Sequence, residues 1–214
     1  CVLTDDSIMT LAVAKAILMS QPNYRNLSKN AVECMQTIGR CYPGYGYGDR
    51  FYRWIFAENP KPYNSYGNGS AMRVSAAGFA AHSLDEGAEA TAVAVYLAKT
   101  GKDIQEIRDY INQHYYTMDF TLDEIRDTYR FNESCQGTVP QALQVFFEST
   151  DYEDAIRNAI SIGGDSDTVA AICGGVAQAY YGIPSDIRKQ ALSFLDTKLL
   201  GILTSFEEKY MPTI

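Results

Sequence analysis

A chain of 214 residues with 46% hydrophobic composition can bury one sizeable core, which excludes a disordered or fibrous protein and makes one domain over residues 1–214 the expectation. A formal net charge of -8 excludes generic binding to nucleic-acid phosphates or anionic membrane surfaces. No apolar run reaches the ~18 residues of a membrane-spanning helix and no signal-peptide pattern opens the chain, so the sequence reads as soluble. Cys1, Cys34, Cys41, Cys135 and Cys173 form no close metal-binding pair, and an odd number does not suggest a complete disulfide framework. Reduced thiols in a cytoplasm fit best. With two histidines in the chain, a zinc site rich in imidazole is not expected, and aspartates are the plausible metal ligands.

The predicted elements begin at Thr4-Asp5-Asp6-Ser7, which precedes Ile8, Met9, Leu11, Ala12, Ala16 and Leu18 at helical spacing. That pattern predicts a helix of about four turns. Asn23 to Asn30 reads as a polar connection and Ala31 to Ile38 as a second helix. Cys41 to Asp49 is too rich in glycine and tyrosine for regular structure: a loop that packs on itself or one that faces a ligand. Phe51 to Ala57 is a short helix carrying Trp54, ended by Asn59-Pro-Lys-Pro62. A second glycine loop, Tyr63 to Ser70, leads into a helix over Ala71 to Phe79, an arrangement whose backbone N-H groups suit an anion such as phosphate. It lacks the lysine and spacing of a P-loop.

Gly87 to Lys99, Ile104 to His114, Leu122 to Thr128, Val139 to Ser149 and Tyr152 to Ile160 each read as helices, with polar caps or glycine breaks between most of them. Gly163 and Gly164 then permit a sharp turn that aims Asp165 and Asp167 into one space before a helix starts at Thr168. On that helix Ala170, Gly174, Ala177 and Tyr181 share a face, and three of the four are small enough for another backbone to come close. A last helical region follows Pro184, from Ser185 to Tyr210. Strand-like alternation is sparse, and the expectation is an all-α domain.

The clusters Thr4-Asp5-Asp6 and Asp165-Ser166-Asp167-Thr168 match in composition, and each stands at a helix start. Two readings apply. Aspartates there can cap the helix and complement its dipole. Alternatively, the oxygen donors suit hard cations such as Mg2+ or Mn2+, whose charge would offset the repulsion between gathered carboxylates.

Three segments in order, Thr4 to Ala14, Ser65 to Ser75 and Gly163 to Ile172, resemble the signatures of the ADP-ribosylglycohydrolase family, which includes the dinitrogenase-reductase-activating glycohydrolases. Cys135-Gln-Gly-Thr-Val-Pro-Gln-Ala142 is similar to its short bacterial branch, and the likeness runs from Leu3 to Pro184. The resemblance implies an all-α fold around two divalent cations, Mg2+ or Mn2+. Thr4, Asp5 and Asp6 match the first ligand group, and Asp165, Asp167 and Thr168 the second. Gly67, Asn68, Gly69 and Ser70, with Met72 and Arg73 beyond them, match the loop that contacts the phosphates and ribose of ADP-ribose. The implied reaction is hydrolysis of an ADP-ribosyl N- or O-glycosidic bond on a modified protein, nucleic acid or small conjugate, with Asp6 and Asp165 as the proton-handling candidates.

The sequence departs from the family pattern at two places. The opening helix with a Gly-Asp turn, and the acidic loop after it, has no counterpart before Cys1, and the start at Cys rather than Met leads to the expectation of missing upstream sequence. Around Ser83 to Ala88 a Thr-His-Asn-His-Pro-like stretch is absent, and His82 does not replace it. These departures motivate two alternatives to an enzyme: a crystallin-like structural or ADP-ribose-binding module, and an immunity partner of an ADP-ribosylating toxin.

Overall fold

A computed structural model describes residues 2–84 and 89–211. In chain order the helices are α1 (Asp5–Met19), α2 (Leu27–Gly39), α3 (Asp49–Phe56), α4 (Gly69–Met72), α5 (Ser75–Ala80), α6 (Ala90–Lys99), α7 (Ile104–His114), α8 (Leu122–Arg126), α9 (Cys135–Phe147), α10 (Tyr152–Ser161), α11 (Ser166–Tyr181), α12 (Ser185–Leu192) and α13 (Thr197–Tyr210). Among the described residues the regular structure is helical, and the β pairing is one isolated antiparallel bridge between Gly67 and Ser134. The all-α expectation therefore holds. Among the described residues no helix is long and apolar enough to cross a membrane.

Helix boundaries differ from the sequence reading where local chemistry overrides periodicity. The helix expected from Val139 begins at Cys135 because the Ser134 hydroxyl accepts from the Gly137 N-H and caps it, with Pro140 accommodated inside. The helix expected over Ala71 to Phe79 is two short ones, interrupted at Arg73 and Val74. The final stretch likewise divides, since the Asp196 carboxylate caps the Leu199 N-H and starts α13 afresh. The helix start expected at Gly87, and the departure at Asp85 to Ala88, lie outside the described residues.

The chain packs as two compact units: Cys1–Ser65 with Lys189–Ile214, and Tyr66–Arg188. In the first unit α1 packs on α2 and α13, burying Ile8, Met9, Leu11, Ala12, Ile17, Ile38, Leu199 and Phe206. The tyrosine-rich loop after α2 packs within this unit. The Tyr42 ring meets Tyr45 edge-on at 5.8 Å, and the Tyr42 hydroxyl donates to Asp196 Oδ2 at 2.6 Å. That hydrogen bond, followed by the Leu199 N-H, holds the Asp196 carboxyl below its ordinary range.

In the second unit α11 is the central element, packed against α6, α9 and α10. Its Val169, Ile172, Cys173 and Val176 are fully buried, as are Val93, Leu143 and Phe146 from its neighbours. Small residues set how closely these helices approach. A Cβ at Gly174 would stand 3.0 Å from Ile156 Cδ1 and one at Gly175 2.9 Å from Ser75 Cβ, which supports the close packing expected of this helix. The tightest approach is at Gly78 of α5, where a Cβ would lie 2.4 Å from the Ala92 carbonyl oxygen and 2.6 Å from Val95 Cβ. Gly78→Ala is therefore expected to push α5 off α6, costing about 1–3 kcal/mol. A thermal melt should read this as a fall in Tm of roughly 2–10 °C, by the usual scaling for a chain of this size.

Candidate active site

The turn before α11 is built by two consecutive glycines in the left-handed region, Gly163 at φ +74° and Gly164 at φ +70°. Only glycine adopts that pair without strain, and the reversal delivers Asp165 to the N-cap position of α11. The Tyr129 ring closes over the turn so tightly that a Cβ at Gly164 would lie 2.3 Å from its Cε1. Burial pushes the Tyr129 hydroxyl above its ordinary value; the Thr138 hydroxyl opposes this, and the charge on Asp165 adds a smaller push upward.

Asp165 stands where a capping residue stands, yet its side chain makes no capping hydrogen bond. Asp103, Thr121, Ser134, Asp151 and Asp196 each accept from a backbone N-H of their own helix. Asp165 Oδ2 instead accepts from Asn68 Nδ2 at 2.7 Å. Asp167 is exposed in the first turn of α11, and Thr168 is buried at 5% exposure.

The other acidic cluster departs from capping in the same manner. Thr4 occupies the N-cap position of α1 without a capping bond, and its hydroxyl donates to Asp6 Oδ2 at 2.9 Å. Asp6 is 4% exposed. The Asp5 N-H donates to the Tyr45 carbonyl at 2.7 Å, which ties this turn to the tyrosine loop, and Asp5 Oδ1 lies 3.2 Å from where a Cβ of Gly46 would be.

Two backbone hydrogen bonds fasten the glycine loop of the second unit to the start of α9. The Asn68 N-H donates to the Glu133 carbonyl at 2.7 Å, and the Cys135 N-H to the Tyr66 carbonyl at 3.0 Å. Within the loop Gly67 and Gly69 are half-buried and Ser70 is exposed, whereas Asn68 and Met72 are buried at 6% and 4%. The Arg73 guanidinium folds back to donate from Nε to the Gly69 carbonyl. Met72 thus faces the core, and the Asn68 side chain is committed to Asp165 and to Thr138 Oγ1, at 3.0 Å. Cys135 Sγ lies under the loop, 3.3 Å from the Gly67 carbonyl.

Sequence reasoning placed no role on Thr138, Tyr129 or Glu89. Thr138 lies in the Cys135 to Ala142 motif, so its segment carried a signal. Tyr129 and Glu89 carried none, because what matters is the neighbour each meets in space.

In donor chemistry the two acidic turns fit a hard divalent cation. Each offers two carboxylates and a hydroxyl, and in each the N-cap side chain is not spent on helix N-H groups. Within neither unit do three His, Cys, Asp or Glu of the described residues form a complete cage.

An all-α fold with a carboxylate-bearing glycine turn heading its central helix defines the class, and the chain belongs to the ADP-ribosylglycohydrolase family, which it matches over residues 2–208. A solved chain titled "ADP-ribosylglycohydrolase-related protein complex" shares the fold with a TM-score of 0.64 at 22% identity, over 97% of this chain and 82% of that one. An uncharacterized protein from Archaeoglobus fulgidus is 42% identical over 46 residues, which is 22% of this chain and 15% of that protein. The match thus spans a small part of that relative's length.

Glu89 precedes α6, and burial raises its carboxyl above the ordinary value near 4.5, with the Arg73 charge opposing that shift. A raised folded value means that the neutral form is favoured on folding. Stability from this group is full below the unfolded value and declines as pH rises through the folded one. Glu89→Gln is expected to gain stability relative to the parent as pH is raised from 4 to 7, measured by denaturant midpoints across that range.

Proposed function

We propose that this chain hydrolyses an ADP-ribosyl N- or O-glycosidic bond and releases ADP-ribose from a modified protein, nucleic acid or small conjugate. The observation that carries the reading is the Asp165 carboxylate. It stands at the head of the central helix, bonded to Asn68 rather than to its own helix, in a chain of this family.

In this reading Thr4, Asp5 and Asp6 form one ligand group and Asp165, Asp167 and Thr168 the other, for two cations, Mg2+ or Mn2+. Bound there, the cations supply Lewis-acid charge that neutralises the carboxylates and orients ribose hydroxyls. The protein's own residues do the rest. Asp6 or Asp165 takes the proton from the attacking water. The carboxylate charge stabilises the oxocarbenium character that develops at the anomeric carbon as the leaving group departs. The rim of the glycine loop, with Gly67, Gly69 and exposed Ser70, meets the phosphates and ribose. Arg73 braces that loop through Gly69, while Met72 and Asn68 support it from beneath. Free thiols at Cys34, Cys41, Cys135 and Cys173 fit a reducing compartment such as the cytoplasm.

Purified protein supplied with Mg2+ or Mn2+ is expected to release ADP-ribose from ADP-ribosylated arginine, serine or nucleic-acid ends, detected chromatographically. Chelation should abolish release and added metal restore it. Asp165→Ala should lower kcat/KM by about 100-fold or more, the size expected for losing a proton-handling carboxylate. Unchanged turnover under chelation and in Asp165→Ala would refute the reading. Calorimetric binding of ADP-ribose with no turnover on any conjugate would assign the chain to binding instead.

A further inference from the structure

Asp165 is held by a hydrogen-bond chain whose direction is fixed by a residue two hydrogen bonds away. The Thr138 hydroxyl has one proton, and it is taken up by the Asn132 carbonyl, 2.9 Å away, and the neighbouring Tyr129 oxygen. Toward Asn68, 3.0 Å away, the same oxygen can then only accept. The Asn68 amide must therefore present its NH2 group here, and the second N-H of that group reaches Asp165 Oδ2 at 2.7 Å. Were the amide turned over, its carbonyl oxygen would face both the Asp165 carboxylate and an oxygen with no proton to give. Thr138 is fully buried and Asn68 is 6% exposed, so little water is at hand to repair a wrong orientation.

We infer that Thr138 is a positioning residue for Asp165: its hydroxyl sets the orientation of the Asn68 amide, and that amide sets the direction of the carboxylate. The role rests on the hydrolase reading proposed above. Asn132 completes the frame, since its side-chain oxygen accepts from the Ser134 N-H at 2.9 Å and the Ser134 hydroxyl at 2.8 Å, locking the segment that carries the terminal carbonyl. The first turn of α9 thereby controls a carboxylate at the head of α11. Asn68 belongs to this frame rather than to the loop's ligand-facing rim.

The test compares Thr138→Val, which keeps the shape and removes the hydroxyl, with Thr138→Ser, which keeps the hydroxyl. The first readout needs neither metal nor substrate: slow solvent exchange of the Asn68 side-chain NH2 protons in 15N NMR, assigned by their loss in Asn68→Ser. Protection should persist in the parent and Thr138→Ser and vanish in Thr138→Val. Calorimetric Mn2+ affinity and kcat should fall by about 10–100-fold in Thr138→Val, the range for lost outer-shell support, with KM changed less. Thr138→Ser should stay within about threefold of the parent. A protected amide and parental kcat in Thr138→Val would overturn the proposal, as would a Thr138→Ser variant that behaves like Thr138→Val. If Thr138→Val does not fold, Thr138→Ser decides alone: retained protection supports the role and lost protection overturns it. Should the parent hydrolyse no conjugate, the hydrolase reading fails, while hydroxyl-dependent protection still supports the positioning role.

Discussion

The second unit depends on one constraint: the buried Thr138 hydroxyl and Asn68 amide must find partners where water is scarce, and the half-buried Asp165 carboxylate is one of them. Thr138, Asn68 and Asp165 satisfy one another in the order that their protons allow. Buried polar chains of this kind are costly when half made and specific when complete. Here the chain joins residues far apart in sequence, so the glycine loop, the start of α9 and the turn before α11 hold one relative arrangement within the unit.

Packing supplies the platform for that chain. α11 is buried along Val169, Ile172, Cys173 and Val176, and glycines at 174 and 175 bring α10 and the start of α5 close. A carboxylate mounted on such a helix has little freedom to drift, because any tilt would open voids against dense neighbours. The two left-handed glycines and the Tyr129 ring then restrict the turn itself. Rigidity thus comes from close-packed apolar contacts, and orientation from a few polar ones.

Much of this was legible in the sequence. The helical periodicity of α1 and the Gly-Gly reversal before Asp165 are local signals, and local physics produced the helix and the turn they predict. The acidic turns could be recognised but not interpreted, because capping and ligation ask for the same residues at the same place. The structure shows that Asp165 does not cap its own helix, and its partner Asn68 lies far away in sequence. Helix boundaries failed where a side-chain cap outweighed the apolar period, at Ser134 and Asp196. Asn68 stands in the loop that the family resemblance assigns to ADP-ribose, and its side-chain partners Thr138 and Asp165 could not be read from the sequence because both lie far along the chain.

That bridge between Gly67 and Ser134 has an evolutionary corollary. Its bonds run from the Asn68 N-H to the Glu133 carbonyl and from the Cys135 N-H to the Tyr66 carbonyl, so they involve no side chain and survive any substitution except one that removes an N-H. Tyr66, 80% exposed, and Ser70 can therefore vary while the loop keeps its seat on α9. Selection can redraw the exposed surface of the loop without disturbing the backbone bonds that seat it.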